Sequence, residues 1–136
     1  MTLHVEVVSP ERILWTGEAQ WVRARTIGGG DIAFLTGHAP FVGALDIHPV
    51  VVHAEDGTEE VIAVHGGFVE VSNDRVTVLS DVAEVSSQID VERARAAQER
   101  AEAALRGGDD EEAAAALKRA QVRLEAATGA TAVAAH

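Results

Sequence analysis

The feature that most limits how this chain can fold is an abrupt change of residue alphabet near Ser86. Up to that point the sequence is rich in Val, Ile, Gly and His; beyond it Ala, Arg and Glu dominate. β-Branched residues suit a pleated, half-buried strand, whereas Ala, Arg and Glu are strong helix formers. The chain therefore divides into a β part, residues 1–86, and an α-helical part, residues 87–136. Residues 1–86 carry 4 basic and 13 acidic side chains against 7 and 9 in residues 87–136, so most cations lie in the helical part. A length of 136 residues suits one small domain with an appendage.

Within the first part, short alternating runs are bounded by turn residues. His4 to Val8 alternates before Ser9-Pro10, and Trp21 to Arg25 alternates before Gly28-Gly29-Gly30. Apolar runs resume at Ile32 to Leu35 and at Val50 to His53. Glu55-Asp56-Gly57 is a hairpin signal, and Glu60 to Val64 returns from it. Gly66-Gly67 separates that run from Phe68 to Val71, and Ser72-Asn73-Asp74 leads to Val76 to Leu79. Many short strands with no intervening helix predict an antiparallel β-sandwich or barrel.

The second part reads as two helices. Asp90 is a candidate N-cap, after which Val91, Ala94, Ala97, Ala101 and Leu105 recur at helical spacing. Gly107-Gly108 ends this helix. Asp109 to Glu112 then place anions where a second helix begins, and Lys118, Arg119 and Arg123 fall late in it, as the helix dipole favours. Two helices joined by a glycine turn predict an antiparallel hairpin. Its alanine stripes bury little area, so it should be weakly held, with a tail that frays from about Thr128.

Composition excludes several functions. The net charge of −11 repels phosphate backbones and anionic lipid surfaces, which argues against nucleic-acid binding. With no cysteine there is no disulfide, thiolate metal site or cysteine nucleophile. The first residues lack the pattern of a signal peptide, and no run approaches the ~20 apolar residues of a membrane span, so any membrane association is expected to run through a partner. Gly28-Gly29-Gly30 has no Lys-Ser or Lys-Thr after it and reads as a structural turn rather than a phosphate loop. The histidines offer no spaced ligand set, so no metal is expected. Nothing in the sequence demands catalysis. Two features stand out. Gly37-His38-Ala39-Pro40-Phe41 sets a polar ring between glycine and proline; its plain reading is an ordinary turn. The cluster Arg93, Arg100, Lys118, Arg119 and Arg123 lies on the weak hairpin; its plain reading is an exposed charged face.

Val7 to Glu11, Gly37 to Pro40, Gly66 to Val71, Val76 to Leu79 and Ile89 to Ala94 follow one another in the order found in a known family. Over nearly its whole length the sequence resembles the epsilon subunit of bacterial F-type ATP synthases. The resemblance implies a non-catalytic rotor subunit on the cytoplasmic face of the cell membrane. Its sandwich would bind the central stalk's gamma subunit and the c subunits of the rotor ring, coupling proton translocation to ATP synthesis. Asp31 and the loop Gly37, His38, Ala39 and Pro40 would face the ring. The mobile hairpin would extend toward the catalytic alpha and beta subunits and inhibit ATP hydrolysis, with Lys118, Arg119 and Arg123 as contact residues. No cofactor is implied, but ATP is implied as a weak regulatory ligand of the folded hairpin. Its matching positions are Glu84, Ile89, Asp90, Arg93, Ala94, Arg100 and Arg119. One departure is Glu112, seven residues before Arg119, where ATP-binding members carry a base; an acid there weakens nucleotide binding.

Two other readings remain at this stage. A free-standing nucleotide-sensing module would use the same arginines without a rotor. A small β-barrel enzyme with a helical cap would need a catalytic constellation that the sequence does not supply.

Overall fold

The structure is a computed structural model and describes residues 1–128; the expected fraying beyond Thr128 lies outside the described residues. Seven strands are followed by two helices: β1 Leu3–Val8, β2 Ile13–Thr26, β3 Gly30–Leu35, β4 Phe41–Ala54, β5 Glu59–Ser72, β6 Arg75–Leu79, β7 Ala83–Val85, α1 Val91–Arg106 and α2 Glu111–Thr128. A single 3-10 turn, Ser86–Gln88, joins β7 to the helical part.

The strands run in the order β1-β6-β5-β4-β2-β3, with β7 on β5 and a further pairing of β1 with β2 that closes the sheet on itself. Closure leaves β1, β6, β5, β4 and β2 without free edges. All pairings are antiparallel except β1 with β6, which is parallel. Alternation sends Leu3, Val5, Val7, Val22, Phe34, Val69, Val71, Val76 and Val78 inward to one core.

Two long strands organise the molecule. β4 and β5 each run for 14 residues and pair from Phe41 with Val71 to His53 with Glu59. β5 passes straight through Gly66 and Gly67, which the sequence reading takes as a break. Gly67 is there because the backbones crowd, since a Cβ on it would collide with the carbonyl oxygen of Leu79; Gly66, like Gly67, holds a positive φ that favours glycine. The turn between β5 and β6 has Asn73 and Asp74 both at positive φ, as a tight two-residue hairpin requires.

The helices form the expected hairpin. Asp90 caps α1 by accepting the Arg93 amide, and Asp110 caps α2 by accepting the Ala113 amide. Only α2 packs broadly on the sheet. Val122 and Ala126 meet Val51, Val61, Ala63 and Ile89 in a small second core, flanked by Trp21 and Ile47.

Candidate functional site

The outward face of β5 that α2 covers carries Val61, Ala63 and His65 in alternation. Where α2 leaves the second core, apolar contact gives way to charge. Arg123 Nε donates to Glu84 Oε1 at 2.5 Å, and Lys118 Nζ donates to Asp46 Oδ1 at 2.8 Å. Both carboxylates belong to the sandwich, on β7 and β4, so these pairs tie the hairpin to it. Lys118 holds the Asp46 carboxyl below the usual carboxylate range, with help from the Ile47 amide. Arg119 turns elsewhere: its Nη2 donates to Glu112 on its own helix at 2.9 Å.

Beside the Arg123–Glu84 pair lies a cleft of about 400 Å³, lined by Glu84, Gln88, Asp90, Arg93, Ala94, Ala97, Arg100 and Arg123. Arg93, Ala97 and Arg100 share one face of α1, and among the described residues neither Arg93 nor Arg100 makes an ion pair. Two unpaired guanidiniums facing a cleft can bind a multiply charged anion by charge-assisted hydrogen bonds.

The structure thus brings Glu84, Asp90, Arg93, Ala94 and Arg100 together and leaves out two residues of the expected set. Ile89 is buried in the second core, where its side chain anchors the link to the hairpin. Arg119 faces Glu112 instead of the cleft, and Arg123, one turn on, lines it. Glu112 consequently stands outside the cleft lining. Sequence reasoning missed Arg123 as a cleft residue because the choice between two arginines four apart depends on how α2 docks.

Asp31 and the loop Gly37–Pro40, expected to meet the rotor ring together, lie at opposite ends of β3. Asp31 and Leu35 alone stand roughly 13 Å apart at the usual strand rise. Asp31 pairs with Arg25 on β2 at 2.8 Å, which holds its carboxyl below the usual range. Gly37 donates its amide to Asp74 Oδ1 at 2.7 Å, and the His38 ring stands edge-on to Phe34. Asp74, which the sequence reading treats only as a turn residue, therefore fixes this loop.

At the Asp31 end an apolar row crosses the outside of the sheet. Ile13 pairs with Val8, Val8 with Leu79, Leu79 with Phe68, and Phe68 with Ala44. Ile13, Leu79 and Phe68 are exposed, as is Ile27 in the adjoining turn. A groove of about 360 Å³ follows this row past Pro10, Gly66 and Gly67. Contiguous exposed apolar surface of this kind marks an interaction face.

Comparison with known proteins fits both halves. Residues 2–86 match the family model described as the ATP synthase delta/epsilon chain beta-sandwich domain, and residues 87–128 match its long alpha-helix domain. The chain is 43% identical over 124 residues to the ATP synthase epsilon chain of Streptomyces griseus, covering 91% of this chain and 94% of that protein. It is 48% identical over 101 residues to that of Brevibacillus brevis, covering 74% and 76%. Its fold is similar to a chain in the mitochondrial ATP synthase OSCP/F1/c-ring assembly of Euglena gracilis, with a TM-score of 0.79 and 23% identity over 93% of this chain and 81% of that one. A chain of the Tetrahymena thermophila central stalk/c-ring gives a TM-score of 0.54 at 14% identity, covering 96% and 97%. With matches spanning sandwich and hairpin alike, the chain belongs to the ATP synthase epsilon chain family, whose members are non-catalytic subunits of the complex.

Proposed function

We propose that this chain is a rotor subunit of the central stalk. In this reading the sandwich binds gamma and the c subunits of the ring, on the cytoplasmic face of the cell membrane. It couples proton translocation to ATP synthesis, and the hairpin leaves the sandwich to restrain ATP hydrolysis at the alpha and beta subunits. The observation that carries the reading is how the hairpin is held: one small apolar cluster on α2 and the pairs Lys118–Asp46 and Arg123–Glu84. Pairs of this exposure are worth about 0.2–1 kcal/mol each, so the docked and released states lie within reach of one another. Released, Lys118, Arg119 and Arg123 are free to meet acidic surfaces on the catalytic subunits. The apolar row through Phe68 and Leu79 supplies a docking face for the stalk, with Asp31 at its margin for the ring. The loop Gly37–Pro40 serves as a second contact at the opposite end.

Reconstitution of an epsilon-depleted enzyme tests this. Adding the chain should restore proton-driven synthesis and lower hydrolysis. Recovery of neither would sink the rotor reading. Cysteines placed at Asp31 and at His38 should each crosslink to the stalk or ring, and to different subunits.

The cleft favours a second, compatible role, that of an ATP site in the docked state. Arg93 and Arg100 supply the charge for phosphates, and Glu112 lies outside the cleft lining and weakens the site less than its place in the sequence implies. Calorimetry on the isolated chain should detect ATP binding that is lost in Arg93→Ala and retained in Glu112→Ala. Equal loss in both would contradict this assignment.

A further inference from the structure

His65 has no part in the roles described so far, yet it occupies the junction on which they depend. Its side chain is only 4% exposed. By alternation it continues the β5 face of Val61 and Ala63 that α2 covers, within the field of Arg123 and Arg119, and it also lines the groove beside Phe68 and Leu79. Its Nε2 stands 3.4 Å from Glu84 Oε1, the same oxygen that accepts Arg123 Nε at 2.5 Å. Neither ring nitrogen has a hydrogen-bond partner among the described residues, so Glu84 is a close charge and not a hydrogen-bond acceptor here. The charged groups around it are Glu84 on β7, Arg123 and Arg119 on α2, and Asp81 in the adjoining groove; β4 opposes it with the uncharged Ile47.

We propose that His65 is a proton-sensing element of the hairpin dock: its imidazole is neutral while α2 covers it and takes up one proton when α2 leaves. The inference rests on the reading that the hairpin can leave. In the docked state an imidazolium would be buried near the Arg123 and Arg119 guanidiniums, with its nearest carboxylate, Glu84, already engaged by Arg123. Release removes both arginines and the apolar cover and leaves Glu84 to His65. The undocked state therefore binds the proton more tightly, and a proton that favours one state is favoured by it in return.

The sign follows from the same contacts. Burial, then Arg123, push the His65 pKa down in the docked state. Stability from a neutral His65 is fully present above the free imidazole value of about 6.5 and is lost as pH falls through the lowered docked value. Asp46, also lowered, acts only in the more acidic carboxylate range, so the two effects separate. His48, likewise lowered by burial, is the necessary control in the His65 range.

The chain has no cysteine, so labels on Thr58→Cys and Gln121→Cys report a single sandwich-to-α2 distance in the full-length protein. Between pH 8 and pH 5.5 the ratio of docked to released hairpin should fall by up to about tenfold per unit once the free value is passed. His65→Gln should flatten that dependence and His48→Gln should retain it. NMR titration of the unsubstituted chain should show His65 titrating below an ordinary histidine, which checks the idea without any substitution at the buried site. A slope kept in His65→Gln, or lost in His48→Gln, overturns the proposal, as does an ordinary His65 titration. If the labels never separate, even in mild denaturant that leaves the sandwich folded, the mobile-hairpin reading itself is wrong and the proposal goes with it.

Discussion

Gly67 sits where β5 crowds the chain beside it, at a φ of 123° and with the Leu79 carbonyl in the space a Cβ would need. Gly67→Ala must therefore move two strands or distort one, and it should cost more than about 2 kcal/mol. A thermal melt should show a fall of at least several degrees; an unchanged midpoint would mean that the crossing can relax freely. The cations of α2 allow a sharper test, because their docked partners differ. Arg119 pairs with Glu112 on the same helix, so Arg119→Ala should leave docking intact and remove only a contact of the released state. Hydrolysis by the reconstituted enzyme should rise by about tenfold, in keeping with a charge-assisted contact at the lower end of about 1.5–3 kcal/mol. Asp46→Asn does the reverse: it frees Lys118 from the sandwich and should lower hydrolysis. Substitutions that moved hydrolysis in the same direction would contradict the docked and released assignments.

Among the elements, α2 is the one whose packing decides the state of the molecule. Val122 is its most substantial apolar contact with Val51, Val61 and Ala63. Val122→Ala removes two buried carbons and should weaken docking by roughly 1.5 kcal/mol, since each buried methylene contributes about 0.8 kcal/mol. The sandwich core is separate, so its melting should hold while trypsin gains access to Arg119 and Arg123; joint loss of both would show a single cooperative unit. Much of this element plan is legible in the sequence. The alternation of Val5, Val7, Val76 and Val78 announces strands, Asp90 and Gly107-Gly108 bracket a helix, and Ser72 to Asp74 announces a turn. The continuity of β4 and β5 is not legible, because Pro49 and Gly66-Gly67 are ordinary stop signals. For Gly67 it is the close approach of the folded strands that requires glycine, which no local pattern announces. The parallel pairing of β1 with β6 joins residues about 70 positions apart and leaves no local mark. In the cleft, Arg93 and Arg100 can be read from their shared helical face, but the partnership of Arg123 with Glu84 depends on the docking angle of α2.

For the whole molecule, charge sets how docking answers its surroundings. The chain carries a net −11, yet the contacts across its one internal seam are attractive and lie near solvent. Added salt should therefore loosen the hairpin, since pairs this exposed are screened within a Debye length of about 10 Å at 0.1 M. Acid should loosen it further. Asp46 has a lowered pKa when docked, so its contribution holds above the ordinary carboxylate value and is lost as pH falls through the lowered one. Measured against pH at two salt concentrations, the docked fraction should fall as pH is lowered and as salt is raised; a docked fraction that rose with salt would mean that apolar packing alone holds α2.

Four residues, Gly107 to Asp110, separate the two helices, and Ile89 and Asp90 tie the pair to the sandwich. That spacing makes the hairpin a folding rule of fixed length. Helices of 16 and 18 residues laid end to end measure about 50 Å at 1.5 Å per residue. Arg119 and Arg123 ride on the outer segment of that rule, so opening the Gly107-Gly108 joint carries them tens of ångströms from the sheet. Because the rule stays tethered, its return is an intramolecular search at millimolar effective concentration, independent of how many copies of the chain are present.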